Sequence, residues 1–344
     1  MVAKDWRSAA KPGHIDEPLS FTSFLRPQVW GGDSLQRNFG KSPAGGDPIG
    51  ESWEISGLAD HPSIVAEGTF TGQSLIELWM TRSQDLAGRI DASPVFPLFV
   101  KWLDCRQLLS LQVHPNDEFA RHVLGQVSGK SEAWVVVEAE PTARVYAGLL
   151  PGVTRDEFIT RLTNGTVADC LHSFIPKVGD CISLPAGTIH SAGGGVVFAE
   201  VQQPSDVTFR LFDWNRLGLD GRPRPLHIDM ALQSITWPQG PVPPTIPTPL
   251  ISECGVFGES LLKTTTFELE RYSVWNTWTQ PHPGEMTIWM VLEGTAVLDG
   301  AGYSPHRILE RGQTVLMPAA AQRTTWAAAD ADTPCLLLCI RQPS

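Results

Sequence analysis

A mainly β fold, built in more than one compact unit, is what this sequence predicts, and three observations carry it. Composition comes first: 31 glycines and 28 prolines in 344 residues, with only 18% charged side chains, supply many turns and few long solvated helices. Spacing comes second. Gly179-Asp180-Cys181-Ile182-Ser183-Leu184-Pro185 is a turn, a short apolar strand and a second turn, and the same Gly-x5-Pro spacing returns at Gly312 to Pro318. Third, Pro238 to Pro249 holds six prolines and reads as a linker. A chain of this length exceeds one small barrel and suits two or three units.

In chain order, residues 1–20 read as a loose, polar N-terminal tail. Phe21 to Ser56 reads as loops and short strands in which Trp30 and Trp53 pack. Ser74-Leu75-Ile76-Glu77 is a capping box, so a helix begins there. Val95 to Leu103 and Gln107 to His114 are apolar strands. Thr154-Arg155-Asp156-Glu157 is a second capping box, with Phe158, Ile159 and Leu162 as the buried stripe and Asn164-Gly165 as the stop. Strands follow at Val196 to Gln202 and Thr208 to Trp214, then a short helix over His227 to Ile235. Four segments result: the tail, a first domain over 21–237 with short helical insertions, a linker at 238–250, and a second set of strands at 251–344.

Within the first repeat, Pro185-Ala186-Gly187 makes a turn, because proline presets its backbone angle and glycine tolerates a positive one. His190 then opens the next strand. The pattern Gly-x5-Pro-x-Gly-x2-His resembles the second motif of the cupin family, small jelly-roll β-barrels that hold a metal inside. Upstream, Ser110, Gln112 and His114 share one strand face by the two-residue period, and Pro115 ends that strand. Lys130 and Glu132 share a face by the same parity. Gln112, His114, Glu132 and His190 together offer an amide oxygen, two imidazoles and a carboxylate. That donor set suits Zn²⁺, with Mn²⁺ or Fe²⁺ possible. In the second repeat Ala320 replaces the turn glycine and Arg323 stands where His190 stood. The 251–344 segment therefore reads as a second, degenerate cupin barrel without a metal site.

Over most of its length the chain resembles type I mannose-6-phosphate isomerase (phosphomannose isomerase) in its short bacterial form. The resemblance rests on Gln28 to Gly32, Gly50 to Ser56, Pro97 to Lys101, Ser110 to Asp117, Gly129 to Trp134, the proline-glycine-histidine stretch, and Gln203 to Arg210. It implies a zinc-dependent, reversible interconversion of mannose 6-phosphate and fructose 6-phosphate through a cis-enediol, with Gln112 as a zinc ligand. It also implies catalytic roles for Lys130, Asp206 and Arg210, and contacts from Ser110, Lys130 and Arg216 to the phosphosugar. Arg216 stands where longer relatives carry a substrate-binding lysine. The plainer alternative is that Arg210 and Arg216 pair with Asp206 and Asp213 on a surface strand. Gly129 replaces a histidine of the longer relatives, so a metal-bound water, Lys130 or Asp206 stays open as the base. A shifted sugar-phosphate specificity, or a non-catalytic sugar-binding bicupin, are the competing functions.

A formal net charge of −11 argues against nucleic acid, whose phosphate backbone needs a basic surface, but not against a small phosphorylated substrate. The six cysteines show no CxxC pair or disulfide-like spacing and read as buried free thiols. No apolar run approaches the ~20 residues that span a bilayer, and no leader opens the chain. A cytoplasmic location without membrane partners is the expectation. Oligomeric state stays open.

Overall fold

The computed structural model of the protein describes residues 13–42, 45–88, 93, 95–300, 303–321 and 323–343. Strands dominate and helices are few and short, as the glycine and proline content leads one to expect. The chain forms two compact units that are interleaved in sequence. One comprises Leu25–Trp53 and Phe99–Ile246; the other comprises the chain up to Phe24, Glu54–Leu98 and everything from Pro247 onward.

That division differs from the consecutive one expected from the sequence. Residues 54–98 do not belong with the first barrel, because the helix Leu75–Ala87 is tied to the C-terminal segment. The backbone N–H groups of Ala319 and Ala320 donate to the carbonyls of Leu86 and Asp85 at 2.8 and 2.9 Å. The described part of the expected loose tail is packed. Residues 1–12 lie outside the described residues, but Ile15 is fully buried and donates its N–H to Asp85. Leu19–Ser20 pairs with the strand Thr314–Met317. Nor does the proline-rich stretch hang free: Val242 N–H donates to the Ala147 carbonyl and Thr245 N–H to that of Cys181.

The unit holding the proline-glycine-histidine motif is a pair of sheets. One has six strands in the order Phe24–Gly32, Ile49–Ile55, Phe99–Cys105, Val196–Gln202, Glu132–Ala139, Cys181–Leu184. The other has five, in the order Phe209–Phe212, Leu111–Val113, His190–Gly193, Arg144–Leu149, Leu171–Phe174. Alternation sends Leu103, Trp134, Val136 and Phe198 of the first sheet and Val145, Ala147 and Ala192 of the second into one apolar core. Two residues further along three of these strands, on the same faces, the side chains become Lys101, Glu132 and Glu200. The site therefore lies at one end of the core.

The first capping box holds in full and the second as an N-cap only. Ser74 and Glu77 make the reciprocal box at the head of Leu75–Ala87. Thr154 Oγ1 accepts from Glu157 N–H ahead of Arg155–Thr163, where Phe158 is fully buried. All six cysteines are free, and only Cys254 is exposed. Among the described residues no helix is long and apolar enough to cross a membrane.

The other unit pairs a seven-stranded sheet with a four-stranded one around Tyr272, Trp289, Trp326 and Leu337. It also buries a polar cluster. Glu270 Oε2 accepts from Tyr272 Oη and sits 2.6 Å from His282 Nε2, while Arg341 Nε lies 3.5 Å from Oε1. Cys339 completes a trio whose donor atoms lie within 4.8 Å of one another. The Arg341 charge and the Cys339 thiol, raised well above its usual range by burial and by Glu270, both weigh against a cation there.

Burial raises the Glu270 carboxyl, but the His282 and Tyr272 hydrogen bonds outweigh it and hold the group at about 2. A carboxyl depressed on folding contributes stability above its unfolded value near 4.3, and the contribution is lost as pH falls toward the folded value. Glu270→Gln should therefore lower the melting temperature at neutral pH and flatten its decline between about pH 4.5 and 2. An unchanged melting profile across that range contradicts this ionic lock.

Candidate metal centre

Strand register places the four predicted donors. His190 pairs with Gln112 across one ladder, and Arg210 pairs with Gln112 across the next, so the three side chains stand in one row on one face. His114 lies two residues beyond Gln112 on the same face. Glu132 comes from the other sheet. The turn that delivers His190 requires its glycine: Gly187 has φ +87°, and an added Cβ would collide with Thr236.

The donors converge. His190 Nε2 lies 3.2 Å from Glu132 Oε1, and His114 Nε2 lies 3.4 Å from Glu132 Oε2. Gln112 Nε2 is 3.2 Å from His190 Nε2. Each imidazole is held through its other nitrogen, His114 Nδ1 by the Val207 carbonyl and His190 Nδ1 by that of Thr188, both at 2.9 Å. This is the outer-sphere arrangement that directs a histidine's Nε2 at a metal. His114, His190 and Glu132 are buried to about 1% exposure, which a bare carboxylate does not tolerate without compensation.

The protein supplies part of that compensation. Lys130 Nζ lies 2.7 Å from Glu132 Oε2 and 3.1 Å from His114 Nε2. Burial opposes ionisation of Glu132, yet Lys130 and His114 hold its carboxyl well below the ordinary range. Burial and the Lys130 ammonium push His114 down to about 3, leaving a neutral imidazole with a free lone pair. Neither Glu132 oxygen accepts a hydrogen bond of acceptable geometry. Two buried, acceptor-only oxygens facing two imidazoles fit a divalent cation.

Much of the surrounding motif is scaffold. Asn116 caps the helix Asp117–Leu124. Asp117 Oδ1 accepts from Gly129 N–H and from Gln203 Nε2, and Gln203 Oε1 accepts from Ser131 N–H. These bonds fix the segment that presents Lys130 and Glu132.

A cavity of about 240 Å³ opens beside the donors, reached by Gln112, Ser110 and Lys130. Its other charged lining consists of Arg26, Lys101, Arg210 and Arg224 with Glu51, Glu200 and Asp206. Lys101 is fully buried, with Nζ 3.2 Å from Glu200 and 3.7 Å from both Glu51 and Asp206. Arg26 reaches Asp206 at 2.9 Å and Glu51 at 3.6 Å while lying over the Trp53 ring. Burial raises the Glu200 carboxyl despite Lys101 and a 2.9 Å bond from Trp134 Nε1. Asp206, by contrast, is held down by Lys101 and Arg26 against the effect of burial.

Of the residues singled out in the sequence, Gln112, His114, Glu132, His190, Lys130 and Ser110 come together, Ser110 Oγ donating to Gln112 Oε1 at 3.3 Å. Asp206 and Arg210 line the same cavity. Arg216 does not: it pairs with Asp213 at 2.8 Å and is not part of the lining. Sequence reasoning assigned no role to Glu51, Lys101, Glu200 and Arg224. The available signal for Lys101 and Glu200 was a lone charge in an otherwise apolar strand.

Sheet architecture and donor set define the class as a cupin-type β protein with a candidate metal site at one end of a barrel core. The phosphomannose isomerase type I catalytic-domain family model matches residues 19–133. The mannose-6-phosphate isomerase ManA of Bacillus subtilis is 35% identical over 263 residues, covering 76% of this chain and 79% of that protein. The mannose-6-phosphate isomerase of Streptococcus mutans is 34% identical over 220 residues, covering 64% and 68%. The crystal structure of mannose 6-phosphate isomerase from Bacillus subtilis superposes with a TM-score of 0.86 at 27% identity, covering 94% of this chain and 99% of that one. The chain belongs to the type I phosphomannose isomerase family.

Lys101 lies within ion-pair distance of all three carboxylates, Glu51, Glu200 and Asp206, two of which Arg26 shares. Lys101→Met should cost about 3–5 kcal/mol in urea unfolding, the range for stranding buried charges. Adding Glu200→Gln should recover part of that loss. A Lys101→Met protein as stable as the parent contradicts the assignment.

Proposed function

We propose that the chain is a mannose-6-phosphate isomerase, interconverting mannose 6-phosphate and fructose 6-phosphate with one zinc ion held by Gln112, His114, Glu132 and His190. The observation that carries this reading is the convergence of those donors on a buried carboxylate with unsatisfied oxygens, at the mouth of a cation-lined cavity. Family membership supplies the substrate pair.

Aldose–ketose isomerisation moves a proton between C2 and C1 through a cis-enediol, and negative charge develops on the sugar oxygens. When bound, zinc supplies Lewis acidity toward those oxygens. Lys130 is positioned to hold the reacting end through its ammonium, and Arg210, in register with Gln112, balances the developing charge.

Three observations bear on the proton carrier. A side chain at position 129 would meet the Pro115 carbonyl at 2.5 Å, so the backbone here has no room for the histidine of longer relatives. Asp206, held down by Lys101 and Arg26, is a weaker base than Glu200. Glu200 is matched better to proton traffic, because burial raises its carboxyl above the ordinary carboxylate value. The cytoplasm is the proposed location, in keeping with six free thiols.

Conversion of mannose 6-phosphate in a coupled assay should disappear with a chelator and return with Zn²⁺; chelator-insensitive turnover contradicts the metal centre. Lys130→Ala and Arg210→Ala should each lower kcat at least ~100-fold, the scale of a lost charge-stabilising donor. Metal content should stay near one ion per chain in both. Normal turnover in these variants refutes the roles given to Lys130 and Arg210.

A further inference from the structure

Charge is distributed unevenly along the cavity. On one side Arg26 and Lys101 face three carboxylates, Glu51, Glu200 and Asp206, and Lys130 faces Glu132. On the other, Arg210, Arg216 and Arg224 share one carboxylate. Arg216 and Arg224 both bind Asp213, Arg224 through Nη2 to Oδ1 at 2.6 Å and Nε to Oδ2 at 2.7 Å. Among the described residues no carboxylate lies within ion-pair distance of Arg210. Its Nη1 donates to the Pro225 carbonyl at 2.7 Å, and its buried Nε has no partner. Three guanidiniums against one carboxylate leave two positive charges in excess.

We infer that Arg224, which with Arg210 lines the cavity, holds the dianionic phosphate of the substrate and takes the role that sequence position suggests for Arg216, while Arg210 stays at the reacting end. The inference rests on the phosphosugar reading above and specifies which group holds the phosphate. Arg224 binds Asp213 side-on through Nε and Nη2, which leaves Nη1 uncommitted among the described residues and sets the plane of the fork. Arg216 donates through Nε and Nη2 to Asp213 Oδ1 and acts as a positioning residue. A dianion is the ligand that cancels the excess, and a phosphate ester presents the oxygens that guanidinium forks bind. A neutral sugar hydroxyl does neither. Burial and the Arg224 and Arg216 charges also disfavour the charged form of Arg210, a penalty that an anion between them relieves.

The test uses the metal-loaded full chain and two constants: KM for mannose 6-phosphate, and the dissociation constant for inorganic phosphate by calorimetry. Arg224→Ala should raise both about 10- to 100-fold, with kcat changed much less, the pattern of lost ground-state binding. Arg216→Ala should raise them several-fold less. Should Arg224→Ala fail to fold, Arg224→Lys keeps a charge on Asp213 but loses the fork, and both constants should still rise about 5-fold or more. Wild-type constants in the folded Arg224 variants, or a larger effect from Arg216→Ala, overturn the inference. If the parent enzyme binds phosphate through Arg224 but does not turn over mannose 6-phosphate, the subsite stands and the isomerase reading falls.

Discussion

One row of side chains across the five-stranded sheet sets the geometry of everything functional. Gln112 has His190 on one side and Arg210 on the other, at spacings fixed by backbone hydrogen bonds rather than by flexible side chains. A slip of one residue on either ladder would turn its partner to the opposite face. The tight turn at Gly187 holds the register on one side, with its N–H on the His114 carbonyl and its own carbonyl accepting from Thr236 N–H. On the other side, Arg210 N–H donates to His227 Nδ1 and its carbonyl accepts from His227 N–H. Two of the candidate metal donors, Gln112 and His190, and the anion-facing Arg210 thus belong to one sheet.

The opposing sheet contributes charge. Its strands bury apolar side chains at Leu103, Trp134 and Phe198 and, two residues on, Lys101, Glu132 and Glu200. Burying that many ionised groups is favourable only when they compensate one another. The pairings of Lys101 with three carboxylates and of Lys130 with Glu132 do this in part. Glu132 retains oxygens that no protein donor satisfies, and the arginines around Asp213 retain unbalanced charge. Those are the two places where a bound cation and a bound anion would complete the electrostatics. They are also the two ends that a metal-assisted phosphosugar reaction needs.

How much of this was legible in the sequence follows from chain separation. Ser110, Gln112 and His114, and Lys130 with Glu132, could be assigned to common faces because a strand's period is two and the residues are neighbours. The turn ahead of His190 was readable from Pro185 and Gly187. Lys101 and Glu200 lie about a hundred residues apart and meet only through the ladder between their strands, so neither announced a partner. Arg216 had the better position in the motif. However, Trp214 and Asn215 take positive φ values of 55° and 56°, and this tight turn carries Arg216 back onto Asp213. Arg224 sits between two prolines, with no periodicity to indicate where it points. The interleaving of the two units was invisible for a related reason: the capping box at Ser74 predicts a helix but not what that helix packs against.

The convergence of an amide, two imidazoles and a carboxylate on one divalent cation is the claim beneath all of this. X-ray absorption at the zinc edge of the purified protein tests it most directly. One ion per chain in a shell of nitrogen and oxygen only, at about 2.0–2.2 Å, is the expected result. A sulfur shell near 2.3 Å, which none of these four residues can supply, or protein that takes up no ion, would contradict it.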